Sequence, residues 1–95
     1  MRTHTLVKTQ FGELYLRKLC RHFAHKVPAT VTGAQGLIEF PFGRCRIYAG
    51  ADHMSLTVEL LDREQAPNAE DVVGSHLQRM ASKEELDVQW ERAEP

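Results

Sequence analysis

Cysteine is scarce in this chain. Cys20 and Cys45 are the two thiols in 95 residues, too few for a disulfide framework. A single Cys20–Cys45 bridge is compatible with the count, but sequence separation fixes no geometry. One-sided charge is lacking as well. The net charge is −1, which excludes a molecule built as a whole to hold polyanions. Basic residues are not interleaved with aromatics along a strand, so no nucleic-acid partner is expected. No apolar run approaches the roughly 18–20 residues of a membrane span. The opening Met1-Arg2-Thr3-His4-Thr5 has no apolar signal segment. These absences predict a cytoplasmic protein with reduced thiols and no membrane partner. Gly-x-Gly-x-x-Gly, a phosphate-binding loop, His-Glu-x-x-His and Gly-x-Ser-x-Gly are all missing. Carboxylates fall mostly in the second half and form no obvious acid–base pair. There is no internal repeat and no low-complexity tract.

What remains is an ordinary globular composition, 42% hydrophobic and 26% charged, with one domain's length. A chain of this size buries roughly 60–65% of its unfolded surface, which supplies one modest core. We place that domain at residues 1–92, with 93–95 as a loose tail.

Two apolar periods alternate along it. The first ten residues read as a short strand with Thr5 and Val7 on one side and Leu6 on the other. Thr9 can cap the following helix, although Gly12 weakens its first turn. Leu16, Leu19, Cys20, Phe23 and Val27 then share one stripe at helical period, and Pro28 ends that helix. Four strands follow at period two. Ala29 to Thr32 is the weakest. Ile38, Phe40 and Phe42 share a face, as do Cys45, Ile47 and Ala49, and then Met54, Leu56, Val58 and Leu60. Their short connections join antiparallel neighbours. A second helix starts at Pro67-Asn68, with Glu70 and Asp71 near its positive end and Ala69, Val73, Leu77 and Met80 as its stripe. Leu86, Val88 and Trp90 alternate in a closing strand.

The order is β-α-β-β-β-β-α-β. One apolar face per strand marks a sheet covered on one side. The expected fold is therefore α+β: a two-layer sandwich, a mostly antiparallel sheet with both helices on one face. Phe23, Phe40, Phe42, Leu56, Val58, Leu77 and Trp90 should be central in the core. Arg44, Arg46, Tyr48, Thr57 and Glu59 should line an open face.

Chemistry concentrates in Leu19-Cys20-Arg21-His22-Phe23-Ala24-His25-Lys26. Helical period divides this stretch. Cys20 points inward, where a free cysteine behaves as a small hydrophobe. His22 and His25 lie on the outer arc with Lys18 and Arg21. Their i, i+3 spacing lets two imidazoles approach one ion, but Cys20 faces away and the flanking cations oppose a divalent metal. Metal candidates are thus weak: His22, His25, Cys20 and Cys45. Arg17, Lys18, Arg21 and Lys26 suit an anion better, whether phosphate, carboxylate or porphyrin propionate, or an acidic partner. The bland alternative is a solvated face paired with acids such as Glu13. His76 sits on the edge of the second helix's stripe, half-buried. Gly74 in that helix costs about 1 kcal/mol relative to Ala, which points to a close approach by a backbone or a ligand.

Several of these segments resemble one bacterial family. They are Cys20 to Pro28, Ile38 to Cys45, Glu70 to Leu77, and Glu84-Glu85-Leu86 with Trp90. In order and spacing they are similar to the family named domain of unknown function 2218. Met80-Ala81-Ser82-Lys83 departs from the aromatic-rich segment expected there. The resemblance implies a short, cytoplasmic bacterial protein with no assigned activity and no specified cofactor. Some members resemble companions of siderophore-interacting flavin reductases, which implies a link to iron metabolism. Cys20, His22, His25, Cys45 and His76 fall on family-typical positions.

The leading expectation is a non-enzymatic accessory domain. It would bind an anionic or iron- or siderophore-linked ligand, or an acidic partner, through Lys18, Arg21, His22, His25 and His76. A redox or metal-dependent enzyme using Cys20, Cys45 and His76 is the second. An interaction module using the open sheet face, as a homodimer, is the third.

Overall fold

The computed structural model describes residues 1–94. Its elements are β1 (Arg2–Lys8), α1 (Gly12–Phe23), β2 (Ala29–Thr32), β3 (Gln35–Phe40), β4 (Gly43–Ala49) and β5 (His53–Leu60). A 3-10 turn (Arg63–Gln65), α2 (Ala66–Met80) and β6 (Glu91–Ala93) follow. The strands form one antiparallel sheet in the order β2-β3-β4-β5-β1-β6. This is the α+β architecture that the alternating periods imply.

Strand alternation sets the two faces. Val7, Ile38, Phe40, Cys45, Ile47, Met54, Leu56 and Val58 are buried beneath Leu16, Leu19 and Phe23 of α1 and Val73 and Leu77 of α2. Leu6 on the other side of β1 is exposed, as are Arg44, Arg46 and Tyr48 on β4. That face carries the ion pairs Arg44–Glu39 at 3.5 Å and Arg46–Glu59 at 2.9 Å. Two-residue loops close the first hairpins. Gly33 takes φ 59° in the β2–β3 loop, a left-handed value that a side chain disfavours. Gly43 opens β4, where a Cβ would lie 2.1 Å from the Glu59 carbonyl oxygen.

Several expectations need correction. The first helix stops at Phe23 rather than running to Pro28. The N–H groups of Lys26 and Val27 both bond the Phe23 carbonyl at 2.9 Å, a tightened turn that swings the chain back into β2. Thr9 does not cap α1. Its hydroxyl accepts the Phe11 N–H at 3.1 Å and donates to Glu84 at 2.9 Å, while the Tyr15 hydroxyl donates to the same carboxylate. The second helix does start near Pro67-Asn68, at Ala66 with Pro67 in its first turn, and it follows a 3-10 turn that Asp62 starts by accepting the Glu64 N–H. Leu86, Val88 and Trp90 alternate without forming a strand. Their pairing potential is lost to packing on α2, where the Trp90 indole lies over Gly74 (a Cβ there would be 3.3 Å from Nε1). Trp90 and Phe42 are accordingly half-buried rather than central.

The strand instead falls on Glu91–Ala93, so of the expected tail 93–95 Ala93 is paired with β1 and Pro95 lies outside the described residues. The anchor is ionic. Arg92 donates to both Glu70 carboxylate oxygens at 2.8 and 2.9 Å, and buried Thr3 donates to the same group at 2.6 Å. Glu70 thus serves a long-range clamp, not the positive end of the α2 dipole.

Candidate functional site

α1 and α2 meet where the last turn of α1 lies beside the third turn of α2. His22 and His76, 54 positions apart in the chain, have ring centroids 4.9 Å apart. His76 also leans on Phe23 at 4.9 Å, and Phe23 meets Phe40 edge-on at 4.8 Å. Phe40 stacks on Phe42 at 4.7 Å. The two imidazoles therefore rest on a rigid aromatic base supplied by α1, β3 and the β3–β4 loop.

Hydrogen bonding fixes one ring. His76 Nδ1 lies 2.6 Å from the Val72 carbonyl oxygen. A carbonyl only accepts, so Nδ1 carries the proton, and Nε2 has no hydrogen-bond partner among the described residues. Partial desolvation holds the His22 pKa below its ordinary value. The positive neighbours His76, His25, Lys26 and Arg79 add to that effect. An anion placed among these groups would relieve the repulsion.

The cations of this layer have no carboxylate of the described residues within ion-pair distance. Among the described residues the pairs are Arg44–Glu39, Arg46–Glu59, His53–Asp52, Arg63–Glu94 and Arg92–Glu70. None involves Arg17, Lys18, Arg21, His22, His25, Lys26 or Arg79, and Glu13 neutralises none of them. On the sheet face Arg44 and Arg46 are paired while Arg2 and Lys8 are not; of the cations named above on the helix layer, none is paired among the described residues.

Of the sequence-derived candidates, His22 and His76 come together. His25 is exposed in the turn after α1, not on the helix, so its i, i+3 relation to His22 is lost. Lys18 and Arg21 are exposed on the outer side of α1. Arg79 joins the group and was not foreseen, although its position three residues after His76 on one helix is the signal that places it there.

The two thiols stand apart from this surface. Cys45 has no exposed surface and Cys20 is 3% exposed; both are free. Cys20 Sγ lies 3.9 Å from the Thr30 carbonyl oxygen. Burial pushes its thiol up, and burial with Cys20 nearby pushes Cys45 up to about 12. No cluster of three His, Cys, Asp or Glu side chains able to hold a metal ion occurs among the described residues. No helix there is long and apolar enough to cross a membrane.

The NMR structure of PA4090 from Pseudomonas aeruginosa has the same fold, with a TM-score of 0.81 and 33% identity over 99% of this chain and 98% of that one. No curated protein matches. Residues 4–91 match the family model described as "Uncharacterized protein conserved in bacteria (DUF2218)". The segments that suggested this family span the helix junction, the β3–β4 loop and α2, and the chain belongs to that family.

Proposed function

We propose that this chain is a non-enzymatic accessory domain that binds carboxylate or phosphate groups on its helix layer. The ligand group would sit against the edges of His22 and His76, flanked by Lys26 and Arg79, with Arg21, His25 and Lys18 on its rim. The observation that carries this reading is the meeting of His22 and His76 at 4.9 Å among cations that no carboxylate neutralises. Charge-assisted bonds from such groups are roughly twice as strong as neutral ones. Small anionic ligands and acidic side chains of a partner share this chemistry. An iron- or siderophore-linked ligand is one member of that anionic class. A cytoplasmic setting agrees with two reduced thiols.

Titration with citrate and with inorganic phosphate, followed by histidine ring NMR, tests the reading. The His22 and His76 signals should move together and the His22 pKa should rise on binding. Affinity for an anion of fixed charge such as sulfate should increase as pH falls from 8 to 5.5, because binding an anion favours imidazolium. Replacing Arg79 with Ser should weaken binding about tenfold, the effect of one charge-assisted contact. Unmoved His22 and His76 signals at 20-fold excess of either anion, taken here as roughly saturating for a millimolar site, would sink the proposal.

A further inference from the structure

β2 is the outer strand of the sheet beside β3. Its register determines which backbone groups remain free. Glu39 donates its N–H to the Pro28 carbonyl at 2.9 Å. The alternation of an antiparallel ladder then turns Thr30 and Thr32 toward β3 and the N–H and C=O of Ala29 and Val31 away from it. Folded proteins usually blunt such an edge with charged residues, proline or a bulge. Ala-Thr-Val-Thr is short and follows Pro28, but it contains no charge and no proline of its own, and Val31 is 42% exposed on the helix side of the sheet.

α1 overhangs this edge, as the Cys20–Thr30 contact shows. At about 100° per residue, Arg17 lies about 60° further round from Cys20, on the side away from His22 and α2. Arg21 follows it on the outer arc, and Lys26 sits in the turn that enters β2. None of the three is ion-paired among the described residues. Glu13 lies one to two turns back, toward the Thr32 end, so the cationic part of the overhang is at the Ala29 end.

We propose that β2 takes an extended acidic peptide as a seventh strand. The peptide backbone bonds to Ala29 and Val31, and its helix-side carboxylates reach Arg17, Arg21 and Lys26. The inference rests on the anion-binding reading of the helix layer and adds the form of the partner. Side chains of an added strand alternate between faces. Carboxylates therefore recur at every second position, and the residues between them face Thr30 and Thr32. A second copy of this chain is the poorer occupant. Antiparallel pairing of β2 with its own image brings two α1 overhangs together, and like charges opposed across a strand pair repel.

The probe is an eight-residue peptide alternating Glu and Thr, titrated into the full chain beside citrate. Amide exchange at Ala29 and Val31 should slow at least tenfold with peptide and not with citrate. Val31→Pro removes an outward N–H that β3 does not use, so it should weaken the peptide at least tenfold and leave citrate binding intact. If citrate shifts His22 and His76 while the peptide gives Ala29 and Val31 no protection, strand addition is wrong and the anion reading survives. If neither ligand binds, both are wrong. Equal peptide affinity in Val31→Pro, or protection of Ala29 and Val31 that grows with protein concentration alone, also overturns the acidic-peptide occupant. The exchange measurement on the unaltered chain decides the matter even where Val31→Pro does not fold.

Discussion

Thiol labelling of this protein should be governed by unfolding and not by cysteine chemistry. Cys45 lies on β4 opposite Ile38 and Val58 and has no exposed surface. Burial, then the neighbouring Cys20, pushes its thiol from the ordinary 9.0 up to about 12. A rise of about three units lowers the reactive thiolate fraction about a thousandfold at pH 8, before any steric exclusion is counted. A disulfide reagent at pH 8 should therefore modify Cys45 at least a thousandfold more slowly in buffer than in urea. The same shift has a thermodynamic sign. The folded state keeps a proton that the unfolded state releases, so this contribution is complete below pH 9 and is lost as pH rises from 9 toward 12. The loss is at most about 4 kcal/mol, three units at 1.36 kcal/mol each. Cys45→Ala should flatten that alkaline fall while costing about 1–2 kcal/mol at pH 7 for the vacated sulfur. Urea midpoints at pH 7 and pH 10 on both chains measure both effects. Native labelling within tenfold of the unfolded rate, or a Cys20–Cys45 bridge in the non-reduced mass, would refute this reasoning. Either result would return the redox reading to the front.

Glu70 makes stability depend on acid in the opposite sense. Hydrogen bonding to Arg92 is the main cause that holds its pKa below the ordinary carboxylate range. Its contribution is therefore present at neutral pH and lost as pH falls through the folded value, and urea midpoints of Glu70→Gln should change less than those of the parent between pH 6 and 3. Gly43→Ala should destabilise by more than about 3 kcal/mol, because its Cβ meets backbone at 2.1 Å and φ is 151°. Gly36→Ala meets side-chain ends, Leu16 Cδ1 at 2.4 Å and Cys20 Sγ at 2.9 Å, and should cost only about 1–3 kcal/mol by thermal denaturation. Thr5 buries a hydroxyl with no protein partner, so Thr5→Val should stabilise by about 1 kcal/mol, and a lower melting temperature would count against that assignment.

The sheet and both helices were legible because their apolar periods are local. Each of the strands β3, β4 and β5 has one buried and one outward row, and the stripe of α1 from Leu16 to Phe23 faces the core as its spacing requires. What sequence period could not show depends on distant partners. Val27 extends the apolar stripe of α1, yet the helix ends four residues sooner, since the chain must turn to reach β2. Val88 and Trp90 alternate as a strand does, yet α2 claims them through Gly74, and pairing with β1 waits for Arg92 to find Glu70. Gly74 had signalled a close approach; the group that approaches is the Trp90 indole. His22 and His76 were each singled out, but only the packing of α1 on α2 brings their rings together. Arg79 was not singled out, although its place three residues after His76 on the same helix was the signal for it.

Charge separation along the chain explains how a nearly neutral molecule can present an anion-binding surface. Residues 1–50 hold eight Lys and Arg against two Asp and Glu, whereas residues 51–95 hold four against eleven. The fold does not simply remix them. On the sheet face, strand pairing sets Arg44 beside Glu39 and Arg46 beside Glu59. At the far end, Arg92 is matched to Glu70. The α1 cations have no such partner among the described residues. Exposed charges more than about 8 Å apart are largely screened at physiological ionic strength, so a distant excess of carboxylates does little to cancel a local cluster. Anion affinity should then fall between 0.05 and 0.5 M salt less steeply than for a uniformly basic domain. Lowering salt lengthens the reach of the remote carboxylates together with that of the cations. A salt slope as steep as several released ions would mean that many more cations than those around His22 and His76 engage the ligand, and the compact site described above would be wrong.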